Sequence, residues 1–71
     1  MQTDVRFIPC STFGGGWLEP LTDAGLGGCL DLMGDEPAFV APIAIDGYVI
    51  EPYEVEDLVV ALRERGLAVT L

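Results

Sequence analysis

The spacing of apolar residues is most regular in the last third of the chain. Four apolar residues recur there at the spacing of one helix face: Val55, Leu58, Val59 and Leu62. This pattern is typical of an amphipathic helix that packs on a core. Pro52 suits the first turn of such a helix, and Gly66 suits its end. The sequence therefore predicts a helix over residues 53–65.

Period-two alternation predicts short strands on both sides of that helix. The last five residues place Leu67, Val69 and Leu71 on one face, as a half-buried strand requires. Near the start of the chain, residues 5–8 form a second candidate strand, which Pro9 ends. Both segments are expected to join one sheet beneath the helix.

Asp46-Gly47 lies between two apolar runs, Ile43-Ala44-Ile45 and Tyr48-Val49-Ile50. A two-residue hairpin turn of type I′ needs positive φ at both of its turn residues, and Asp-Gly is one of the pairs that tolerate this. The pair therefore favours such a turn here. Such a turn would pair Ile45 with Tyr48 and Ile43 with Ile50. The sequence thus predicts a hairpin here.

The first half of the chain is less regular. Residues 29–33 alternate as a short strand, Gly34–Pro37 is expected to form a turn, and a strand containing Phe39 follows. Residues 10–28 contain six glycines and are interpreted as a long loop with one helical turn near residues 22–25. The predicted fold is a single α+β domain over residues 1–71. Its small antiparallel sheet combines a three-stranded meander with N- and C-terminal strands, and one amphipathic helix near the C-terminus covers it.

The charge balance restricts the class of partner. The chain has 12 Asp and Glu residues against 3 arginines, no lysine and no histidine, for a net charge of -9. Without a basic stripe, direct binding of nucleic acid or of an anionic membrane is not expected. A field of this sign favours encounter with a protein that has a basic surface. The alternative is that the acids only keep an apolar chain in solution.

Apolar residues make up 51% of the chain, with a mean hydropathy of +0.45. A domain of this size cannot bury so much apolar surface, so an exposed patch that marks an interface is expected. Residues 1–6 lack the features of a secretory signal, which predicts a cytoplasmic location. Cys10 and Cys29 are then interpreted as reduced, partly buried residues, with a disulfide as the alternative.

Candidate catalytic and ligand-binding groups are few. Without histidine, Ser11 and Cys10 lack the usual general base. The glycine clusters at 14–16 and 25–28 match neither a P-loop nor a dinucleotide fingerprint. Asp31, Asp35 and Glu36 do not have the spacing of a calcium loop, and zinc lacks its ligands. The sequence therefore predicts no enzyme activity, no catalytic or metal-binding residue and no cofactor.

Trp17 and the acids are the candidates for a binding surface. Trp17 lies with Phe13 and Leu18 in the predicted glycine-rich loop, where it would either anchor an interface or cap the core. The acids cluster at Asp35-Glu36 and along residues 51–57. In size, acidity and lack of catalytic side chains, the chain resembles small phage-encoded inhibitors, including DNA-mimicking anti-CRISPR proteins and glycosylase inhibitors. This resemblance is one of composition and implies no particular site residue.

Two hypotheses follow. In the first, the chain is a non-enzymatic module that blocks a basic, nucleic-acid-binding surface of a partner, as a DNA mimic does. Its partner-binding residues are then predicted to be Asp35, Glu36, Glu51, Glu54, Glu56, Asp57 and Trp17. In the second, the apolar surface makes the contact, and the chain is a structural or self-associating subunit of a virion or an operon-encoded complex.

Overall fold

Five strands and two helices form the fold in the computed structural model, which describes residues 2–71. The elements are β1 (Val5–Pro9), β2 (Gly16–Pro20), α1 (Asp23–Met33), β3 (Ala38–Val40), β4 (Ile45–Ile50), α2 (Val55–Glu64) and β5 (Val69–Thr70). The strand order is β3-β4-β2-β1-β5. The α+β class is as predicted. The sheet is mixed rather than purely antiparallel, because β5 runs parallel to β1.

The core lies between one face of the sheet and both helices. The strands contribute the buried residues Val5, Leu18, Tyr48, Ile50 and Val69, and the helices contribute Cys29, Val59 and Leu62. Burial of such side chains stabilises a fold by about 1.5–3 kcal/mol each. A second helix, α1, therefore shares the covering role that the sequence assigned to α2 alone.

The predicted C-terminal helix is confirmed. A short 3-10 helix at Pro52–Glu54 leads into α2, which buries Val59 and Leu62. The Glu54 carboxylate accepts a hydrogen bond from the Glu51 N–H at 3.2 Å, so this start is held by its own side chain. The flanking strand predictions are also confirmed, because β1 covers Val5–Pro9 and β5 lies within the last five residues.

The predicted strand over residues 29–33 is wrong, because α1 occupies these positions. The predicted loop over residues 10–28 is confirmed only at 10–15 and 21–22, since β2 and α1 occupy the rest. The helical turn predicted near residues 22–25 is the start of α1. Thr22 caps α1 by accepting a hydrogen bond from the Gly25 N–H at 3.0 Å. Gly34 ends the helix with a φ of 78°. A Cβ on Gly25 would overlap the Asp4 carbonyl, and one on Gly28 would meet Leu67. The glycines thus allow α1 to pack closely, which outweighs their poor helix propensity.

The predicted hairpin at Asp46-Gly47 is also wrong. These residues lie inside β4, which runs without a break from Ile45 to Ile50. The chain reverses earlier, through a 3-10 helix at Ala41–Ile43 and Ala44, whose φ is 51°. Gly47 is needed in the strand because a Cβ there would overlap the Leu18 carbonyl of β2. The predicted meander is therefore replaced by the order β3-β4-β2, in which β3 contains Phe39 as predicted.

Candidate functional site

All three arginines already have partners within the molecule. Arg6 forms an ion pair with Glu19, and Arg65 forms one with Asp31 at 2.9 Å. Arg63 donates a hydrogen bond to the Val69 carbonyl at 3.1 Å. Within residues 2–71, Glu19 and Asp31 are the only acids in an ion pair. The acids of the predicted binding site therefore have no counter-ion in the described part of the chain.

These acids lie on three connected parts of the fold. Asp35 and Glu36 are exposed between α1 and β3, and Glu51 is exposed directly after β4. Because β3 and β4 are antiparallel, the start of β3 and the end of β4 point toward the same end of the sheet. Glu56 and Asp57 are exposed in the first turn of α2. Glu54 differs from the others because it is half-buried and accepts a hydrogen bond from Glu51.

The acids as a whole are not confined to this end. Asp23 and Glu64 are exposed at the start of α1 and the end of α2, and Asp46 is exposed in β4. Arg6 lies on β1, Arg63 in the last turn of α2, and Arg65 directly after α2.

The connection between α1 and β3 is tied to the core by a tyrosine. The Tyr48 hydroxyl donates a hydrogen bond to the Asp35 carbonyl at 2.8 Å. Burial raises the pKa of Tyr48, and the charges of Cys29, Asp35 and Glu36 raise it further. The hydroxyl therefore remains a donor at neutral pH and fixes the backbone that presents Asp35 and Glu36.

An apolar groove with acidic walls runs beside this connection. It has a volume of about 330 Å³ and is lined by Leu26, Leu30, Glu36, Pro37 and Asp46. Leu26 and Leu30 are one helical turn apart on α1, so both face the groove. Of the lining residues, only Glu36 was among the predicted site residues. The spacing of Leu26 and Leu30 could have indicated the apolar wall if α1 had been recognised.

Trp17 lies in β2 and not in a loop. It pairs with Ile8 of β1 and Val49 of β4, so the three side chains form a row across the sheet. Strand alternation places this row on the face opposite the buried Leu18. Trp17 is half-buried, Val49 is 61% exposed, and the Phe13 ring meets the indole edge-on at a centroid distance of 6.1 Å. Trp17 therefore does not cap the core between sheet and helices.

A second groove of about 450 Å³ lies along α2, lined by Pro52, Val55, Glu56, Val59, Val60, Arg63 and Leu71. It contains one acid, Glu56, and one arginine, Arg63.

Comparisons with protein-family models, with curated proteins and with solved structures found no match for the chain. Neither helix of residues 2–71 has the length and apolar character needed to cross a bilayer.

The remaining candidates for ligand binding or catalysis are metal-binding clusters, the two thiols and the carboxylate pair of the first groove. Among residues 2–71, no three Cys, Asp or Glu side chains lie close enough together to bind a metal ion. Both cysteines are free thiols; Cys29 is fully buried, and burial raises the pKa of its thiol. Cys10 is partly buried as predicted, whereas Cys29 is buried completely. In the 330 Å³ groove, Glu36 and Asp46 are both exposed, whereas an acid/base pair needs a cleft that buries one carboxylate.

Proposed function

We propose that this chain is a non-enzymatic cytoplasmic module that binds a protein with a basic surface and blocks that surface against nucleic acid. Asp35, Glu36, Glu51, Glu56 and Asp57 supply the exposed charge. Glu54 has a second role, because its carboxylate also holds the start of α2. Trp17 stands at the margin of the contact, on the other face of the sheet.

The observation that carries this proposal is the engagement of every arginine. Arg6 and Arg65 pair with other carboxylates and Arg63 binds a carbonyl, so none of the three is in an ion pair with an acid of the proposed surface. Exposed carboxylates without counter-ions produce a negative potential that attracts basic surfaces and repels nucleic acid.

The test is affinity capture from the native cell at several salt concentrations. Wild-type protein is expected to retain a basic protein that is released by salt and displaced by double-stranded DNA. A variant with Asp35→Asn, Glu36→Gln, Glu56→Gln and Asp57→Asn is expected to retain much less of it. Glu54 is left intact so that the start of α2 is not disturbed. Retention that neither salt nor DNA reduces would contradict the proposal.

The second hypothesis, self-association, is favoured by one observation, the apolar row of Ile8, Trp17 and Val49 on the sheet face away from the helices, in which Val49 is 61% exposed. Two copies would each bring a net charge of -9 to the contact. Self-association is therefore expected to strengthen when salt is added, whereas binding to a basic partner is expected to weaken. Light scattering at low and high salt distinguishes the two functions, because their salt dependences have opposite signs.

A further inference from the structure

We propose that the groove between α1 and the β3–β4 edge binds an arginine side chain on an apolar-flanked segment of the partner. This inference rests on the proposed function and assigns the contact to particular residues. The groove joins two leucines of one helix, Leu26 and Leu30, to two carboxylates on its other walls, Glu36 and Asp46. A side chain with an apolar stem and a cationic end matches both parts.

Within residues 2–71, neither carboxylate of the groove is in an ion pair. Arg6, Arg63 and Arg65 contact Glu19, Val69 and Asp31 respectively, and none of these is a groove residue. The chain has no lysine that could serve instead. Both carboxylates are therefore open to a cation of the partner.

Arginine fits this groove better than a simple cation does. Its methylene stem can lie along Leu26 and Leu30 while the guanidinium reaches the carboxylates at the rim. The planar guanidinium has five N–H donors, so it can bind more than one carboxylate oxygen at once. The groove volume of about 330 Å³ is large enough for one long side chain.

The strand wall of the groove adds an apolar anchor. Phe39 of β3 lies directly across the ladder from Asp46, and its side chain is 67% exposed. Neighbouring cross-strand side chains share one face of a sheet, so Phe39 stands at the groove edge. An apolar residue next to the arginine would cover Phe39. A second copy of the chain fits less well, since its arginines are engaged and its net charge is -9.

The probe is an acetylated peptide amide that alternates leucine with arginine. Two matched peptides accompany it: one carries neutral citrulline in place of arginine, and the other is an oligoarginine of equal charge. Binding is measured by calorimetry, and backbone amide shifts locate it on the protein. The alternating peptide is expected to bind most tightly and to shift the amides of Leu26, Leu30 and Asp46 more than that of Trp17.

Two variants of equal net charge distinguish binding in the groove from attraction by the overall negative charge of the protein. Glu36→Gln with Asp46→Asn is expected to weaken the alternating peptide about tenfold, the effect of two exposed ion pairs. Asp23→Asn with Glu64→Gln removes the same charge at two exposed positions outside the proposed binding surface. This variant is expected to change the affinity less than about twofold. Phe39→Ala is expected to weaken the alternating peptide and leave oligoarginine unchanged. All replaced side chains are exposed, so the fold should persist, which circular dichroism checks.

The outcomes distinguish this inference from the proposed function. If both charge variants weaken binding equally, or if the amide shifts centre on Trp17, the groove is not the arginine site. The proposal of an acidic binding surface would still stand. Equal affinity for the arginine and citrulline peptides would contradict both. If the amide signals of the groove residues shift as protein concentration rises without peptide, the occupant is a second copy of the chain. That result would also overturn the inference.

Discussion

The Asp4 carboxylate accepts a hydrogen bond from the Ala68 backbone N–H at 2.9 Å. Its other oxygen accepts one from the Thr22 hydroxyl at 2.7 Å, and Thr22 is the N-cap of α1. One side chain thus joins the start of β1, the start of α1 and the approach to β5. These two hydrogen bonds, led by the one from Ala68, lower the pKa of Asp4.

Replacing Asp4 by Asn is expected to lower stability at neutral pH, because an amide offers only one acceptor oxygen to the two donors. A group with a lowered folded pKa contributes stability above its unfolded pKa of about 3.9 and loses it as pH falls through the folded value. The difference between wild type and Asp4→Asn should therefore be constant at neutral pH and shrink below pH of about 4. Urea unfolding at several pH values measures it, and a difference that persists at the lowest pH would contradict this role.

Two glycines of α1 should respond to alanine in opposite directions. A Cβ on Gly25 would overlap the Asp4 carbonyl, so Gly25→Ala is expected to destabilise the fold by about 1–3 kcal/mol or more. A Cβ on Gly27 would meet nothing within 4 Å, so Gly27→Ala is expected to stabilise it by about 0.5–1 kcal/mol. Chemical denaturation of both variants tests this. Equal effects would show that α1 does not pack against Asp4 as described.

The two cysteines should differ in reactivity. Cys29 is fully buried with a raised thiol pKa, whereas Cys10 is half-buried in the loop after β1. A thiol reagent is expected to modify Cys10 in the native protein and Cys29 only after unfolding, because the reactive species is the accessible thiolate. Mass spectrometry of the labelled protein identifies each site. Labelling of Cys29 at the rate of Cys10 under native conditions would contradict its burial.

Added salt should stabilise the isolated protein. Only Glu19 and Asp31 of the described acids are in an ion pair, so repulsion opposes folding at low ionic strength. Raising sodium chloride from about 0.01 to 0.15 M shortens the screening length from about 30 to 8 Å, and a gain of about 1 kcal/mol would raise Tm by about 4–8 °C. Thermal unfolding measures this. The Glu56→Gln and Asp57→Asn variant serves as control and should gain less, and a Tm independent of salt in both would refute the repulsion.

The elements that the sequence predicted well are those in which local pattern and tertiary packing agree. The stripe that includes Val59 and Leu62 identified α2, and alternation identified β1 and β5. In α1 the two disagree, because Gly25 and Gly28 lower helix propensity but allow close contact with Asp4 and Leu67. Only the tertiary neighbours, which are distant in the sequence, explain these glycines.

The Asp46-Gly47 error has the same physical origin. Glycine serves both in tight turns and in strands that another backbone approaches closely, and the sequence alone does not separate these uses. Here Gly47 accommodates the Leu18 carbonyl. The error also concealed part of the candidate site, because Asp46 becomes a groove wall only when β4 is continuous. The exposed position of Asp35 and Glu36 between two elements, by contrast, could be predicted from turn chemistry alone.

The pairing of β1 with β5 affects the order in which the molecule folds. The Asp4 and Ala68 partners are 64 residues apart, so β5 docks only after a very long loop has closed. Helix formation and the contacts between β2 and β4 span shorter separations and are favoured earlier. Attachment of β5 is therefore expected to be a late event, and until then β1 presents an unpaired edge that could aggregate with other chains.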